Sequence, residues 1–545
     1  MKFLSAVDSS AAQSLREIGE RWLEETCELF PEAGSRMGFK KFESRLGENT
    51  PDVRRRHQRL LEDTLRRVEE LPEGAFHGDD WLDRRGFLAS LRTDLLFSRD
   101  LERWRTNPQT HCTSAVEAIF DLLVRSSSNL TKSLPAIEAR LAKIPDFLAA
   151  GADGLRRPVP LWTALAERAC EGAVEFLDGL QATLAAASPH PAKTRSLVRS
   201  ASRAFHDYAQ AIGKKRSGSE GSFAIGRERF EFLIRERLGL DLSLREARAA
   251  GERLVAANDY LVQKEAAKLG SRSARETIEA AASAWAPAGS LLEHYRRATA
   301  EIKHRLASSD MVSLPPNESL KVLPVPPFLR HQFPTAAYNP PQPFARTQTG
   351  IFWVNDLSLT ETDPRKKAAE IRQHFGLELT CVHEGYPGHH LQFVVQYRHP
   401  SRLRRVFEHA VFYEGWTMWC EKLAVENGLV DLPNARLIQL HDALWRAHRI
   451  VIDCGLQEGS LTPAAAARRL QKGVGFTAAR AAGDVSWYTS SPTVPMSYLL
   501  GRIEVEKLHR RLVLGEGWSM RQFNDWMLSH GSLPWSWIWQ ARLRG

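Results

Sequence analysis

The sequence predicts a mainly α-helical protein with one small β element. Apolar residues recur at spacings of three and four through much of residues 1–305, for example from Leu60 to Val68 and from Leu254 to Leu261. Such spacing is typical of helices that pack on one face. Prolines are dense between Pro315 and Pro343, so this stretch cannot form a continuous helix. The segment from Gly350 to Asn355 has the composition of a strand.

These elements divide the chain into three regions. Residues 1–305 form a helical N-terminal region, and residues 306–345 form a proline-rich extended segment packed on the domain. Residues 346–545 carry the chemistry described below and return to helix near Arg365. We expect this last region and the N-terminal helices to form one continuous fold.

The composition is that of an ordinary globular protein. The sequence contains no run of about 18 apolar residues, so we expect no membrane span. The first residues lack the apolar stretch of a signal peptide. The six cysteines are scattered and form no Cys-x-x-Cys pair. Together these features predict a cytoplasmic protein with reduced thiols.

The formal net charge of the chain is +9. A nucleic-acid-binding protein would be expected to cluster its lysines and arginines. Here the arginines alternate with glutamates along amphipathic helices, as in the segment Arg227–Arg229. This pattern favours a solvated helix surface, so we expect no nucleic-acid partner. The sequence leaves the oligomeric state open.

The most informative stretch runs from Cys381 to His390, where three histidines and one glutamate lie within eight positions. In the zinc-hydrolase pattern His-Glu-x-x-His, two histidines one helical turn apart bind one zinc ion. The glutamate beside the first histidine acts as general base on the metal-bound water. Here His389 and His390 follow His383 by six and seven positions. This predicts a metal site with altered spacing, with Glu384 as the base, although a polar turn is the alternative.

A continuous helix through this motif would separate the histidines too far. Six or seven residues span roughly 9–10 Å along a helix axis, whereas each zinc ligand lies about 2.0–2.1 Å from the metal. Pro387 would clash with the carbonyl four residues earlier, and Gly385 and Gly388 tolerate unusual backbone angles. We predict a broken helix that brings His389 or His390 back toward the first histidine.

A third ligand is predicted downstream, in a largely buried helix between Glu408 and Glu421. Glu414 lies in this segment among Phe412, Tyr413 and other aromatic residues. A carboxylate is rarely buried unless it is paired or binds a metal. Glu414 is therefore the expected ligand, and a salt bridge to an arginine is the alternative. Glu421 is either a partner of a metal ligand or a plain surface charge.

The signatures His-Glu-x-x-Pro-Gly-His-His-Leu-Gln, from His383, and Glu-Gly-Trp, from Glu414, resemble those of the bacterial domain-of-unknown-function 885 family. That family is commonly regarded as a distant relative of helical gluzincin-type zinc peptidases. The resemblance implies a large helical gluzincin-like domain with a small β element beside the metal-binding helix. Those peptidases carry Gly-His-x-Leu across the second ligand. Matching it to Gly388–Leu391 nominates His389, with His390 as the alternative.

The resemblance implies a metal-dependent hydrolase that cleaves a peptide or amide bond. One zinc ion would be held by His383, His389 and Glu414, and it would activate a water that Glu384 deprotonates. Histidine and carboxylate ligands also suit manganese, iron or cobalt. The expected substrate is a small peptide or an amino-acid derivative.

Two tyrosines and an arginine near the C-terminus complete the predicted site. Helical zinc peptidases often use a downstream tyrosine beside the reacting carbonyl, which implies Tyr498 as a catalytic group and Tyr488 as a substrate contact. For either tyrosine, a half-buried core residue is the alternative. Arg502 lies one turn beyond Tyr498. It either binds a carboxylate of the substrate or pairs with Glu506.

The chain departs from the family's pattern at two places. Gln457 stands where members often carry the histidine of Gly-x-His, and the segment Ser491–Tyr498 lacks the usual Pro-Gly-Gln. These departures favour a divergent member with its own substrate. Two alternatives to a peptidase follow. One is a metalloenzyme of specialised metabolism that acts on a small amino-acid conjugate, and the other is a non-catalytic helical protein that binds a metal.

Overall fold

A computed structural model describes residues 2–125, 130–216, 218–271, 273–325, 335–359 and 361–544. Within these ranges the chain is mainly α-helical, with one three-stranded sheet. The predicted fold class is therefore confirmed.

Fourteen α-helices among the described residues precede the sheet. They are α1 (Lys2–Leu29), α2 (Pro31–Met37), α3 (Pro51–Glu69), α4 (Gly78–Leu95), α5 (Arg103–Thr106), α6 (Gln109–Arg125), α7 (Leu130–Leu141), α8 (Ile144–Gly154), α9 (Pro160–Ala187), α10 (Pro191–Arg216), α11 (Arg227–Leu238), α12 (Leu244–Lys268), α13 (Ala274–Ala284) and α14 (Leu291–Ala307).

Eleven helices among the described residues follow the sheet. They are α15 (Pro364–Arg372), α16 (Leu377–Glu384), α17 (His389–Gln396), α18 (Arg402–Val406), α19 (Ala410–Glu426), α20 (Ala435–Glu458), α21 (Pro463–Val474), α22 (Ala478–Ser490), α23 (Val494–His509), α24 (Met520–Ser529) and α25 (Trp535–Arg544).

Several helices begin at a residue that satisfies their free backbone amides. Ser243 and Ser290 form capping boxes with the glutamates three residues later, at the starts of α12 and α14. Thr50 caps α3 with its side chain, and Pro51 occupies the first helical position. These starts follow from local sequence alone.

The sheet has the strand order β1-β3-β2, with β1 at Glu318–Pro324, β2 at Ala336–Asn339 and β3 at Gln348–Val354. β1 runs parallel to β3, and β2 runs antiparallel to it. The predicted strand at Gly350–Asn355 corresponds to β3. The proline-rich segment, predicted only as extended chain, contributes both outer strands, and its residues 326–334 lie outside the described ranges.

The helices before and after the sheet share one apolar core. Its largest cluster includes Leu15 and Phe87 from the N-terminal helices together with Trp416, Phe523 and Ile538 from the C-terminal ones. The division into three regions stays a prediction, but the first and last helices are packed together. No helix among the described residues combines the length and apolar character needed to cross a lipid bilayer.

Helices α19 and α23 approach each other unusually closely at two glycines. A Cβ added to Gly501 would lie 2.2 Å from the carbonyl oxygen of Val411 and 2.8 Å from the Cα of Gly415. Both clashes involve backbone atoms, so no side-chain rotation relieves them. Glycine at both positions therefore fixes how α23 lies against the helix that carries Glu414.

This contact generates a stability prediction. Gly501→Ala forces α19 and α23 apart, and we expect it to lower the free energy of unfolding by about 1–3 kcal/mol or more. Gly483→Ala is the matched control, because a Cβ there meets no atom within 4 Å. The control should be neutral or slightly stabilising, since alanine favours the interior of a helix. Urea unfolding of the two variants would contradict the account if Gly501→Ala were no less stable than the control.

Candidate metal centre

The helix is broken between the two predicted histidine ligands, as the spacing predicts. α16 ends at Glu384 and α17 begins at His389. The amide of Gly388 donates to the carbonyl of Val382 at 3.0 Å. A Cβ on Gly388 would lie 2.0 Å from the carbonyl oxygen of His383. Only glycine allows the chain to fold back this tightly, and the fold-back returns the second histidine to the first.

The fold brings His383, His389 and Glu414 together. Their ligand atoms all lie within 4.8 Å of one another. The Nε2 atom of His383 lies 3.5 Å from Oε2 of Glu414, and Nε2 of His389 lies 3.6 Å from the same oxygen. Two ligands of a tetrahedral zinc ion, each about 2.0–2.1 Å from the metal, are roughly 3.3 Å apart. The three side chains are thus spaced as ligands of one ion would be.

Glu414 is the strongest evidence that this cluster is built for a cation. Its side chain is 8% exposed, and its Oε2 atom has no hydrogen-bond partner. A buried carboxylate oxygen without a partner is costly unless a cation satisfies it. Two imidazole nitrogens and one carboxylate oxygen are a donor set that zinc accepts, with a fourth position left for water. The residues present therefore fit a divalent metal ion.

The electrostatics of the cluster also favour a bound cation. Burial opposes protonation of His383, but the adjacent carboxylates of Glu414 and Glu421 prevail and raise its pKa to about 10. Burial lowers the pKa of His389 to about 4, so that imidazole is neutral. The site therefore attracts one positive charge between His383 and the carboxylates, and a metal ion would take the place of that proton.

Glu421 orients the first histidine. Its Oε1 atom accepts a hydrogen bond from Nδ1 of His383 at 2.7 Å, and its side chain is buried. This bond assigns the proton to Nδ1 and leaves Nε2 free to bind a metal. Of the two readings of Glu421, the partner of a ligand fits the structure and the surface charge does not.

Glu384 is the last residue of α16 and is partly exposed beside the three ligands. Desolvation, together with the negative charges of Glu414 and Glu421, raises its pKa to about 7, against the lowering effect of His383. A bound dication would lower this pKa. The position next to a ligand and the partial exposure are those that a general base needs.

His390, the alternative ligand, belongs to a different network. Its Nε2 atom bonds Glu318 on β1 at 2.7 Å, and its Nδ1 atom bonds the hydroxyl of Tyr338 on β2 at 3.1 Å. Tyr386 and Lys303 also donate to Glu318. Burial opposes ionisation of Glu318, but these hydrogen bonds lower its pKa to about 2. Because both ring nitrogens of His390 are engaged, His389 is the residue left to bind a metal.

The hydrogen bonds of His390 attach the start of α17 to the sheet. Gly350 on β3 completes the fit, since a Cβ there would lie 2.6 Å from Nδ1 of His390. Glu318 and Tyr338 could not be found by sequence reasoning, because they lie 72 and 52 residues from His390.

Aromatic rings surround His389 on its outer side. Tyr338 stacks on the imidazole with ring centroids 6.4 Å apart, and Phe393 and Tyr413 lie 6.1 and 5.9 Å from it. Tyr338 and Tyr413 are partly exposed. This wall is suited to an apolar group beside the metal ligands.

The Glu-Gly-Trp signature has three separate structural roles. Glu414 supplies the carboxylate, and Gly415 permits the close approach of α23. The indole of Trp416 donates to the carbonyl of Pro387 at 2.9 Å. This bond holds the loop between His383 and His389 against α19.

The close approach of α23 brings Tyr498 to the cluster. Burial opposes ionisation of Glu414, but the two imidazoles and the nearby hydroxyl of Tyr498 lower the pKa of that carboxyl. Arg502, one turn later, lies 3.4 Å from Glu506, so the pairing alternative for Arg502 fits the structure. Its role in substrate binding stays a prediction.

Tyr488 does not face the cluster directly. It is fully buried, and its hydroxyl donates to Asp484 at 2.6 Å while accepting from Nε of Arg449 at 2.9 Å. Gln457 donates to the backbone carbonyls of Tyr488 and Thr489 at 3.3 Å each. The hydroxyl of Tyr488, predicted to contact substrate, is therefore already hydrogen-bonded within the protein. It supports Arg449 instead.

The fold and the cluster define a mainly helical protein with a two-histidine, one-glutamate candidate metal centre. The family model for a bacterial protein of unknown function (DUF885) matches residues 31–541. The chain belongs to this family.

Two solved structures share the fold. A "putative lipoprotein of unknown function" from Shewanella oneidensis is 18% identical, with a TM-score of 0.77 over 97% of this chain and 100% of that one. A "putative lipoprotein" from Colwellia psychrerythraea is 17% identical, with a TM-score of 0.79 over 97% and 98% of the two chains. No curated protein matches the sequence.

The adjacent histidines give a paired test of the metal centre. We expect His389→Ala to lose most of the bound metal, because it removes one of three ligands. His390→Asn should retain about one ion per chain, because His390 bonds only Glu318 and Tyr338. Elemental mass spectrometry of both untagged variants measures this directly. Equal metal loss in the two variants would contradict the assignment.

The hydrogen bond from His383 to Glu421 generates a second metal prediction. Glu421→Gln keeps the shape of the side chain but removes its charge, and we expect zinc affinity to fall about 10–100-fold. Glu458→Gln is the control, since that carboxylate pairs with Arg227 and Arg248. Competition with a zinc chelator measures both variants. An unchanged affinity in Glu421→Gln would show that this carboxylate does not orient the ligand.

Proposed function

We propose that this protein is a metal-dependent hydrolase that cleaves a peptide or amide bond. The observation that carries the proposal is the convergence of His383, His389 and Glu414 on one point, beside the partly exposed Glu384. Three protein ligands leave a coordination position open, which is the arrangement of catalytic rather than structural zinc sites.

His383, His389 and Glu414 would hold the ion. When bound, a zinc ion supplies Lewis-acid polarisation of a carbonyl and lowers the pKa of water to about 7. Glu384 accepts a proton from the attacking water and transfers it to the leaving nitrogen, which is the usual work of a general base that later acts as acid. Glu421 keeps the first imidazole in the required tautomer.

Tyr498 is the donor suited to the developing oxyanion. Its hydroxyl is close enough to Glu414 to help lower the pKa of that carboxyl. Burial raises the pKa of Tyr498 well above its usual value, so the hydroxyl keeps its proton and can donate it in a hydrogen bond. The Gly415–Gly501 contact holds this tyrosine in place.

A gluzincin-like relationship is part of the same proposal. It is supported by a candidate glutamate ligand on a helix downstream of a His-Glu motif. It is also supported by strands β1 and β2, which contact His390 through Glu318 and Tyr338. The substrate would be a small peptide or an amino-acid conjugate. The second of these is the alternative of specialised metabolism, and analysis of the products distinguishes the two.

The proposed cellular location is either the cytoplasm or the cell envelope. The cytoplasmic expectation rests in part on the scattered cysteines, all six of which are buried free thiols. The descriptions of both similar structures as putative lipoproteins weigh against it and favour the cell envelope. Fractionation of cells that express the full-length protein decides between these compartments.

The general base gives the direct test of catalysis. We expect Glu384→Gln to lower kcat about 10²–10⁴-fold while metal content is retained, because the amide cannot accept a proton. Glu378→Gln, six residues earlier on the same helix, is the matched control and should keep its activity. The assay is hydrolysis of a panel of N-blocked dipeptides and amino-acid amides by zinc-loaded protein. Equal activity in Glu384→Gln and wild type would contradict the assigned role.

A further inference from the structure

Arg449, on α20, lies in an aromatic box next to the candidate metal centre. Its guanidinium carbon is 4.1 Å from the ring centroid of Trp445, 4.7 Å from that of Tyr498, and 5.3 Å from those of Trp487 and Tyr488. Cations bind the faces of such rings, and arginine stacks on them well. The box fixes the orientation of the guanidinium.

The hydrogen-bond donors of Arg449 are only partly used. Its Nε atom donates to Tyr488 at 2.9 Å, and its Nη2 atom lies 3.9 Å from Oδ2 of Asp484. That same oxygen already accepts from Tyr488 at 2.6 Å and from the indole of Trp445 at 3.1 Å. The Nη1 atom of Arg449 is buried without a partner, and the residue is only 5% exposed. A buried cationic donor without a partner is costly, and an anion that accepts a hydrogen bond from it would offset that cost.

Neighbouring arginines have closer carboxylate partners than Arg449. Arg446 lies 3.3 Å from Asp442, and Arg502 lies 3.4 Å from Glu506, each four residues away on its own helix. Asp453 lies four residues after Arg449 on α20, but no ion pair joins the two among the described residues. The acidic partner of Arg449 is instead Asp484, which at 3.9 Å is more distant than the partners of Arg446 and Arg502.

Tyr498 connects this arginine to the metal ligands. One face of its ring meets the guanidinium, while its hydroxyl lies near Glu414 and helps to lower the pKa of that carboxyl. Tyr498 is partly exposed and Trp487 is 37% exposed, so the box borders solvent where these two rings lie. An anion bound to Arg449 would lie within one or two residues of the bond to be cleaved, because an extended residue spans about 3.3–3.6 Å.

We infer that Arg449 binds a carboxylate of the substrate, so the enzyme acts on amides that carry a free carboxylate one or two residues from the scissile bond. The inference rests on the proposed hydrolase function for the identity of that bond. A planar guanidinium matches a carboxylate with two parallel hydrogen bonds. Tyr488, Trp445 and Trp487 are positioning groups, because they hold the guanidinium and do not touch the substrate.

The test compares two ligands that differ only in this group. N-benzoylglycyl-phenylalanine has a free carboxylate, and its C-terminal amide does not; the aromatic wall at His389 suits their phenyl rings. Binding is measured by calorimetry on the zinc-loaded Glu384→Gln protein, which avoids turnover. We expect the acid to bind about 10–100-fold more tightly than the amide.

Three variants, each made in the Glu384→Gln protein, locate the effect. Arg449→Gln should remove most of the preference for the acid and leave the affinity for the amide unchanged. Tyr488→Phe, which deletes only the hydroxyl behind Arg449, should reduce the preference by a smaller factor. This variant still tests the carboxylate site if Arg449→Gln does not fold. Arg480→Gln is the control, because Arg480 lies over the same Trp445 ring at 5.1 Å but is exposed.

The outcomes separate this inference from the proposed function. Equal affinity for acid and amide, including no binding of either, would overturn the carboxylate site, as would a preference that survives both Arg449→Gln and Tyr488→Phe. Selective binding of the acid by a protein whose wild type hydrolyses no amide would instead contradict the hydrolase proposal and support the carboxylate site.

Discussion

The buried carboxylate of Glu414 is the constraint on which the rest of the site depends. An unpartnered carboxylate oxygen in the interior costs free energy, and here it faces two imidazole nitrogens at 3.5 and 3.6 Å. This cost is offset if a cation occupies the space between the three side chains. The broken helix, the sheet and the crossing of α19 and α23 all act to bring these groups to one point.

Small residues and hydrogen bonds to the backbone maintain this geometry. Gly388 lets α17 fold back onto α16, and Trp416 fixes the loop between them through the carbonyl of Pro387. Gly415 and Gly501 let α23 carry Tyr498 to Glu414. The predicted metal ligands therefore lie on helices, and the groups proposed to contact substrate lie on helices packed against these.

Sequence reasoning could predict the parts of the site that depend on local chemistry. Pro387 and two glycines indicated a broken helix, and a carboxylate among aromatic residues indicated Glu414 as a ligand. It could not choose between His389 and His390 from spacing alone, because the choice depends on Glu318 and Tyr338 in distant strands. Nor could it foresee that Tyr488 would be buried behind Arg449, since that follows from the packing of α20 against α22.

The sheet illustrates the same limit. A proline-rich segment has few local signals for strands, and β1 and β2 form because β3 offers both of its edges to them. Glu318 at the start of β1 is then placed where it accepts hydrogen bonds from His390, Tyr386 and Lys303. Long-range pairing of this kind creates a site that no single stretch of sequence encodes.

X-ray diffraction at the zinc absorption edge, from crystals grown with zinc, tests the central claim most directly. The account predicts an anomalous difference peak about 2.0–2.2 Å from Nε2 of His383, Nε2 of His389 and a carboxylate oxygen of Glu414. A peak between His390 and Glu318, or no peak in this region, would contradict it.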